Sequence, residues 1–69
     1  MATVTLNGEP RTVPDAISVE ALLRHVGRDP AVPGVAVAVG DCVVRRADWS
    51  ATTVSDGDRV EIITAAQGG

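Results

Sequence analysis

The chain contains no phenylalanine and no tyrosine, and Trp49 is its single aromatic residue. A core must therefore be built from Val, Ile, Leu and Ala around at most one large anchor. There is a single cysteine, Cys42, so no internal disulfide can staple the fold, and this usage fits a reducing compartment. Long apolar runs are missing too. The longest, Val35 to Val39, falls far below the roughly 20 residues that span a bilayer. Positive charge is scarce: the formal net charge is −3, which argues against a nucleic-acid partner, because phosphate binding relies on Lys and Arg. Met1-Ala2-Thr3-Val4 offers neither a charged n-region nor an apolar h-region, so no signal peptide is expected. What is left is a mildly acidic, soluble, cytoplasmic protein with no membrane partner, expected to be a monomer on its own. At 69 residues it is one domain, burying only about 60% of its unfolded surface.

The first stretch, Thr3-Val4-Thr5-Leu6, alternates polar and apolar residues and predicts a strand with one buried face. Asn7-Gly8 follows, a pair that accepts the positive φ values of a type I′ hairpin turn. Pro10-Arg11-Thr12-Val13 is the return strand. Pro14 to Ile17 connects it to a helix predicted over 19–26, with Ser18 as N-cap and Glu20 near the positive helix end. Val19, Leu22, Leu23 and Val26 fall on one helical face, and Gly27 is a natural residue to end it. Arg28 to Gly34, with two prolines, reads as a loop. Val35-Ala36-Val37-Ala38-Val39 is apolar on both faces, as expected of a strand buried on both sides or covered by a partner. Gly40-Asp41 turns into Cys42-Val43-Val44. A polar turn, Arg45 to Trp49, and an Asx-type turn at Ser55-Asp56-Gly57-Asp58 precede the last strand, Arg59 to Thr64.

Few residues carry chemistry. His25 has no carboxylate or nucleophile close in sequence, and its place near the negative end of the helix accounts for it. Cys42 has no neighbouring base and no second cysteine, so it reads as a small apolar strand residue rather than a nucleophile. Arg45-Arg46 reads as a solvated pair, and Trp49 as an anchor at the core edge whose indole N–H needs an acceptor. The two aspartates of the Asx turn are wrongly spaced for a calcium loop. No Ser/His/Asp set, Cys/His pair or metal-ligand cluster is visible, so no cofactor or metal is assigned to this chain.

The tail is different. Ala65-Ala66-Gln67-Gly68-Gly69 follows the most regular apolar stretch. Glycine lets another backbone approach closely, so Gly68-Gly69, led by Gln67, can thread a narrow channel in a partner. The α-carboxyl of Gly69 is an anion at neutral pH, and it must be activated before it can react. Ile63 breaks the alternation of the last strand. With Ala65 and Ala66 it forms an apolar strip beside the tail, a candidate partner surface. The expected layout is a domain over 1–64 and a flexible tail over 65–69.

The order of strand, strand, helix, strand, strand, strand describes an α+β domain with one helix on a small sheet. With the tail included, the sequence resembles the ubiquitin-like β-grasp proteins, and more narrowly the ThiS family of sulfur carrier proteins of thiamine biosynthesis. The resemblance rests on Leu6-Asn7-Gly8-Glu9, on Val19 with Leu22-Leu23, on Val35 to Val39 and on Val43-Val44. It continues through Trp49, through Asp56-Gly57-Asp58-Arg59-Val60-Glu61-Ile62 and through Gly68-Gly69. It departs at Gly40 and Arg45, where that family often carries Asn and Pro. The resemblance implies a β-grasp fold: a mixed sheet of four to five strands with one main helix on one face. It also implies a carrier rather than an enzyme. The Gly69 carboxylate would be adenylated by a ubiquitin-activating-type adenylyltransferase (ThiF-like) holding ATP and Mg²⁺. It would then take sulfur from a persulfide donor to become a thiocarboxylate, and deliver that sulfur to a thiazole synthase (ThiG-like). The same chemistry in molybdenum-cofactor or cysteine biosynthesis, or an interaction module without sulfur chemistry, stays open at this point.

Overall fold

The computed structural model describes residues 1–64. The elements run β1 (Ala2–Leu6), β2 (Glu9–Val13), α1 (Val19–His25), β3 (Val35–Val39), β4 (Cys42–Val44), a short 3₁₀ turn (Arg46–Asp48) and β5 (Arg59–Thr64). The five strands form one mixed sheet in the order β2-β1-β5-β3-β4. β1 and β2 make the antiparallel hairpin that Asn7-Gly8 predicts, with φ 50 at Asn7 and 87 at Gly8. β1 and β5 run parallel in the middle of the sheet, and β5 is antiparallel to β3. This is the β-grasp expected from the sequence. Pro10 sits inside β2 rather than at its start; β2 is an edge strand, where a missing N–H costs little.

The helix forms for local reasons that the sequence announces. Ser18 takes the extended N-cap conformation and its Oγ accepts the Ala21 N–H at 3.0 Å. Gly27 takes φ 84, a value that suits a residue without Cβ. Its N–H donates to the Arg24 carbonyl, and the Arg28 N–H to that of Leu23. These are the paired bonds of a Schellman ending. Between the caps, Val19, Leu22 and Leu23 are buried and meet Val4, Val13, Val37, Val60 and Ile62 from the sheet in one core cluster. Truncating either leucine to alanine would cost about 2–5 kcal/mol.

A second layer of contacts ties the long return connection to the helix. Val54 is fully buried, and its N–H donates to Ile17, while Val19 donates to Thr52. The resulting bridge between Ser18 and Thr53 is too short to leave a periodic mark in the sequence. Trp49 is buried, and its indole N–H donates to the Val44 carbonyl at 3.0 Å, as its anchoring role requires.

Two expectations are corrected and a third is narrowed. β3 is not buried on both sides, which leaves the reading in which a partner covers its second face. Only Val37 is fully buried, Val35 and Val39 are half-buried, and Ala36 is exposed, because α1 covers one face of the sheet. Cys42 is exposed rather than packed; it begins the three-residue edge strand β4, beside the Gly40-Asp41 turn. Arg46 is not a freely solvated charge. Its guanidinium donates to the carbonyls of Pro30 and Val32 and lies 4.5 Å over the Trp49 ring. Arg45 stays exposed, with only a loose contact to Asp48 at 4.0 Å. The departures at Gly40 and Arg45 leave the turns intact. Gly40 has φ 61, where asparagine is also tolerated, and Arg45 has φ −67, which proline adopts by construction.

Candidate functional site

The site is the end of β5 and the surface around it. Along this strand Val60 and Ile62 are buried while Glu61, Ile63 and Thr64 are exposed. The alternation therefore continues through Ile63, which lies on the face opposite α1 with 55% of its surface exposed. Ile63 is paired with Ala36, and Val43, 74% exposed, with Ala38. Cross-strand partners share a face, so these four side chains make an apolar strip on the helix-free side of the sheet. Ile63 was expected from the sequence as a surface residue. Val43 was not, because a three-residue strand shows too little alternation to say which side faces water.

Two polar side chains hold the end of β5 in place. The Asn7 amide brackets Ile62: Oδ1 accepts the Ile62 N–H at 2.8 Å and Nδ2 donates to its carbonyl at 3.3 Å. On the helix side, Arg28, just past the Schellman turn, donates to Thr64 Oγ1 at 3.0 Å. Neither contact was read from the sequence. Asn7 was already accounted for as a turn residue, and Arg28 lies in a loop far from Thr64 along the chain.

Of the residues the sequence singled out, Ile63 is exposed on the helix-free face. Ala65, Ala66, Gln67, Gly68 and Gly69 lie outside the described residues. His25 is exposed in the last turn of α1, next to Arg24 and with no carboxylate bonded to it among the described residues. Cys42 stands at the far edge of the sheet from the first hairpin. Among the described residues no cluster of three or more His, Cys, Asp or Glu side chains could hold a metal. No helix among them is long and apolar enough to cross a membrane.

Comparison with known proteins agrees with this geometry. A crystal structure of a thiamine biosynthesis protein (ThiS) from Geobacter metallireducens superposes with a TM-score of 0.82 at 35% identity, covering 97% of this chain and 99% of that one. A solution structure of a thiamine biosynthesis protein from the same organism gives a TM-score of 0.75 at 34% identity, covering 97% of this chain and 87% of that one. No curated protein matches the chain. The ThiS family profile matches residues 4–69, from the first strand through both final glycines, and the chain belongs to the ThiS family.

Proposed function

We propose that this protein is a sulfur carrier for thiamine biosynthesis and that its reactive group is the C-terminal carboxylate of Gly69. The observation that carries the reading is the extent of the family match, which runs to residue 69 and so includes the Gly-Gly end. The fold supports it: the strand that leads into the tail is held at its tip by Asn7 and Arg28, so the tail leaves from a fixed point.

The chemistry follows from the carboxylate. As an anion it resists attack, so an activating enzyme (ThiF-like) with ATP and Mg²⁺ converts it to an acyl-adenylate, and pyrophosphate leaves. A persulfide then attacks the acyl carbon and AMP leaves. A thiol opens the resulting S–S bond, and the sulfur stays on Gly69 as a thiocarboxylate. That sulfur is a nucleophile on a tether, suited to delivery into a thiazole synthase (ThiG-like). The carrier supplies the reacting terminus and the docking surface, and the catalytic groups belong to its partners. In this reading Gln67 and Gly68 thread the partner's channel, while Ile63, Ala65 and Ala66 dock on its surface, extended by Ala36 and Val43.

The test is intact mass after incubation with the activating enzyme, ATP, Mg²⁺ and a persulfide donor, followed by fragmentation. Exchange of one oxygen for sulfur, confined to Gly69, is expected. A chain that stays unmodified while a known ThiS family member is converted in parallel would overturn the proposal.

A further inference from the structure

The apolar strip on the helix-free face has a carboxylate standing in it. Glu61 is exposed on β5, on the same face as Arg59 and Ile63. Its cross-strand partner on β3 is Ala38, whose partner on β4 is Val43. Glu61, Ala38 and Val43 therefore form one row, and Ile63 with Ala36 forms the next. The Glu61 carboxylate makes no ion pair with a described residue. Arg59, two residues earlier, is turned to the Gly40-Asp41 turn, its Nη2 donating to Asp41 Oδ1 at 3.1 Å. Arg11 is paired with buried Val4 and lies on the helix side, Arg28 is bonded to Thr64 on that side, and Arg46 is held over the Trp49 ring. The face also has a shape. β3 lies between β5 and β4, and its alanines are shorter than Glu61 and Ile63 on one side and Val43 on the other, so a shallow trough runs along β3.

We propose that Glu61 is a specificity residue that receives a cationic side chain of the activating enzyme, laid in the trough along β3. The proposal rests on the carrier function above, in which this strip docks on that enzyme. The argument is one of desolvation. A carboxylate covered by a partner loses its water, which is costly unless an opposite charge replaces it. Interface centres are for that reason depleted in glutamate. A strip that keeps Glu61 beside Ala38 and Val43 therefore selects a partner that brings the cation and rejects apolar or acidic surfaces that would otherwise fit the alanines. A guanidinium suits the place best. Its parallel N–H groups match both carboxylate oxygens, it is more weakly hydrated than an ammonium, and its methylene stem can lie on Ala36 and Ala38 while the charged head meets Glu61.

Titration of the full chain into the cognate activating enzyme (ThiF-like), at low and at high salt, tests this, with circular dichroism as the folding control. Glu61→Gln keeps the shape and removes the charge. Its affinity should fall about tenfold or more at low salt, and the loss should shrink as salt rises. Glu61→Lys should fall further, because two cations then meet. Glu9→Gln removes the same charge from the helix side, where Glu9 is paired with buried Leu6, and should bind as the wild type does. Wild-type affinity in Glu61→Gln would overturn the proposal. So would equal losses in Glu61→Gln and Glu9→Gln, which would assign the effect to net charge alone, and so would tighter binding of Glu61→Lys, which would place a carboxylate opposite. ATP–pyrophosphate exchange by the wild-type chain reads the carrier function separately: exchange there upholds that function whatever the Glu61 variants report.

Discussion

The side-chain amide of Asn7 bonds both backbone polar groups of Ile62. β1 pairs with β5 only through Thr5 with Arg59 and Leu6 with Val60, because the backbone turns away at Asn7. The amide takes over where the backbone leaves and carries the ladder two residues further toward the tail, from Val60 to Ile62.

Asn7→Gly keeps the positive φ and removes the amide, so it isolates these two bonds. Leaving half-buried Ile62 polar groups unpaired should cost about 1–3 kcal/mol. Asn7→Ala adds the strain of φ 50 and should cost roughly 1–2 kcal/mol more. Urea unfolding measures both; a glycine variant as stable as wild type would mean that water replaces the amide fully.

Arg46 is expected to matter for stability although it lies on the surface. Arg46→Lys keeps the charge and loses the planar fork that reaches Pro30, Val32 and the Trp49 ring together. A loss of about 1–2 kcal/mol in urea unfolding is expected, since hydrogen bonds to charged groups contribute about 1.5–3 kcal/mol and lysine recovers part. A lysine variant of unchanged stability would return Arg46 to the solvated role its sequence suggests.

Cys42 is exposed, so a thiol reagent should label it in the folded protein as fast as a free thiol. Cys42→Ser should change stability by less than about 0.5 kcal/mol, as surface substitutions do. The serine variant should also still form the thiocarboxylate. Slow labelling, or a folded serine variant that takes no sulfur, would restore a hidden role for this residue.

Ile63→Asp places a charge in the strip formed with Ala36, Ala38 and Val43. The fold should tolerate it, because Ile63 faces solvent. Affinity for the activating enzyme should fall about tenfold or more, since docking would desolvate the new carboxylate. Titration of the folded variant decides this; wild-type affinity would remove Ile63 from the interface.

The tail variants separate folding from reactivity. Deleting Gly69 shortens the reach by about 3.3–3.6 Å, while attack needs reacting atoms within roughly 3–3.5 Å. Gly68→Val adds a β-branched side chain where a channel should press closely. Both should abolish ATP–pyrophosphate exchange with unchanged circular dichroism, and Gln67→Ala should be milder. Normal exchange in the deletion and in Gly68→Val would reduce the tail to a passive end.

The parts of the fold that repeat were legible in the sequence. Period two marked β1 and β5, the spacing of Val19, Leu22 and Leu23 marked α1, and Asn7-Gly8 and Gly27 marked two boundaries. The parts made by single long-range contacts were not. Nothing local announces that Arg46 reaches the loop after the helix, that Arg28 meets Thr64, or that Val54 docks beside Ile17. The exposure of Cys42 depends on which strand lies at the edge, and strand order comes from topology rather than composition. The same holds for the strip around Ile63: its members come from three strands, and only the register aligns them.

β5 leads into the tail from the middle of the sheet, with β1 on one side and β3 on the other. A pull on the tail therefore acts along the strand and loads both ladders in shear, so many hydrogen bonds must fail together. An edge strand would instead peel away one bond at a time. Resistance to such forced unfolding is set by the unfolding rate, not by equilibrium stability. A small domain with no disulfide can thus bear a load applied through its last strand while the rest of the molecule keeps its shape.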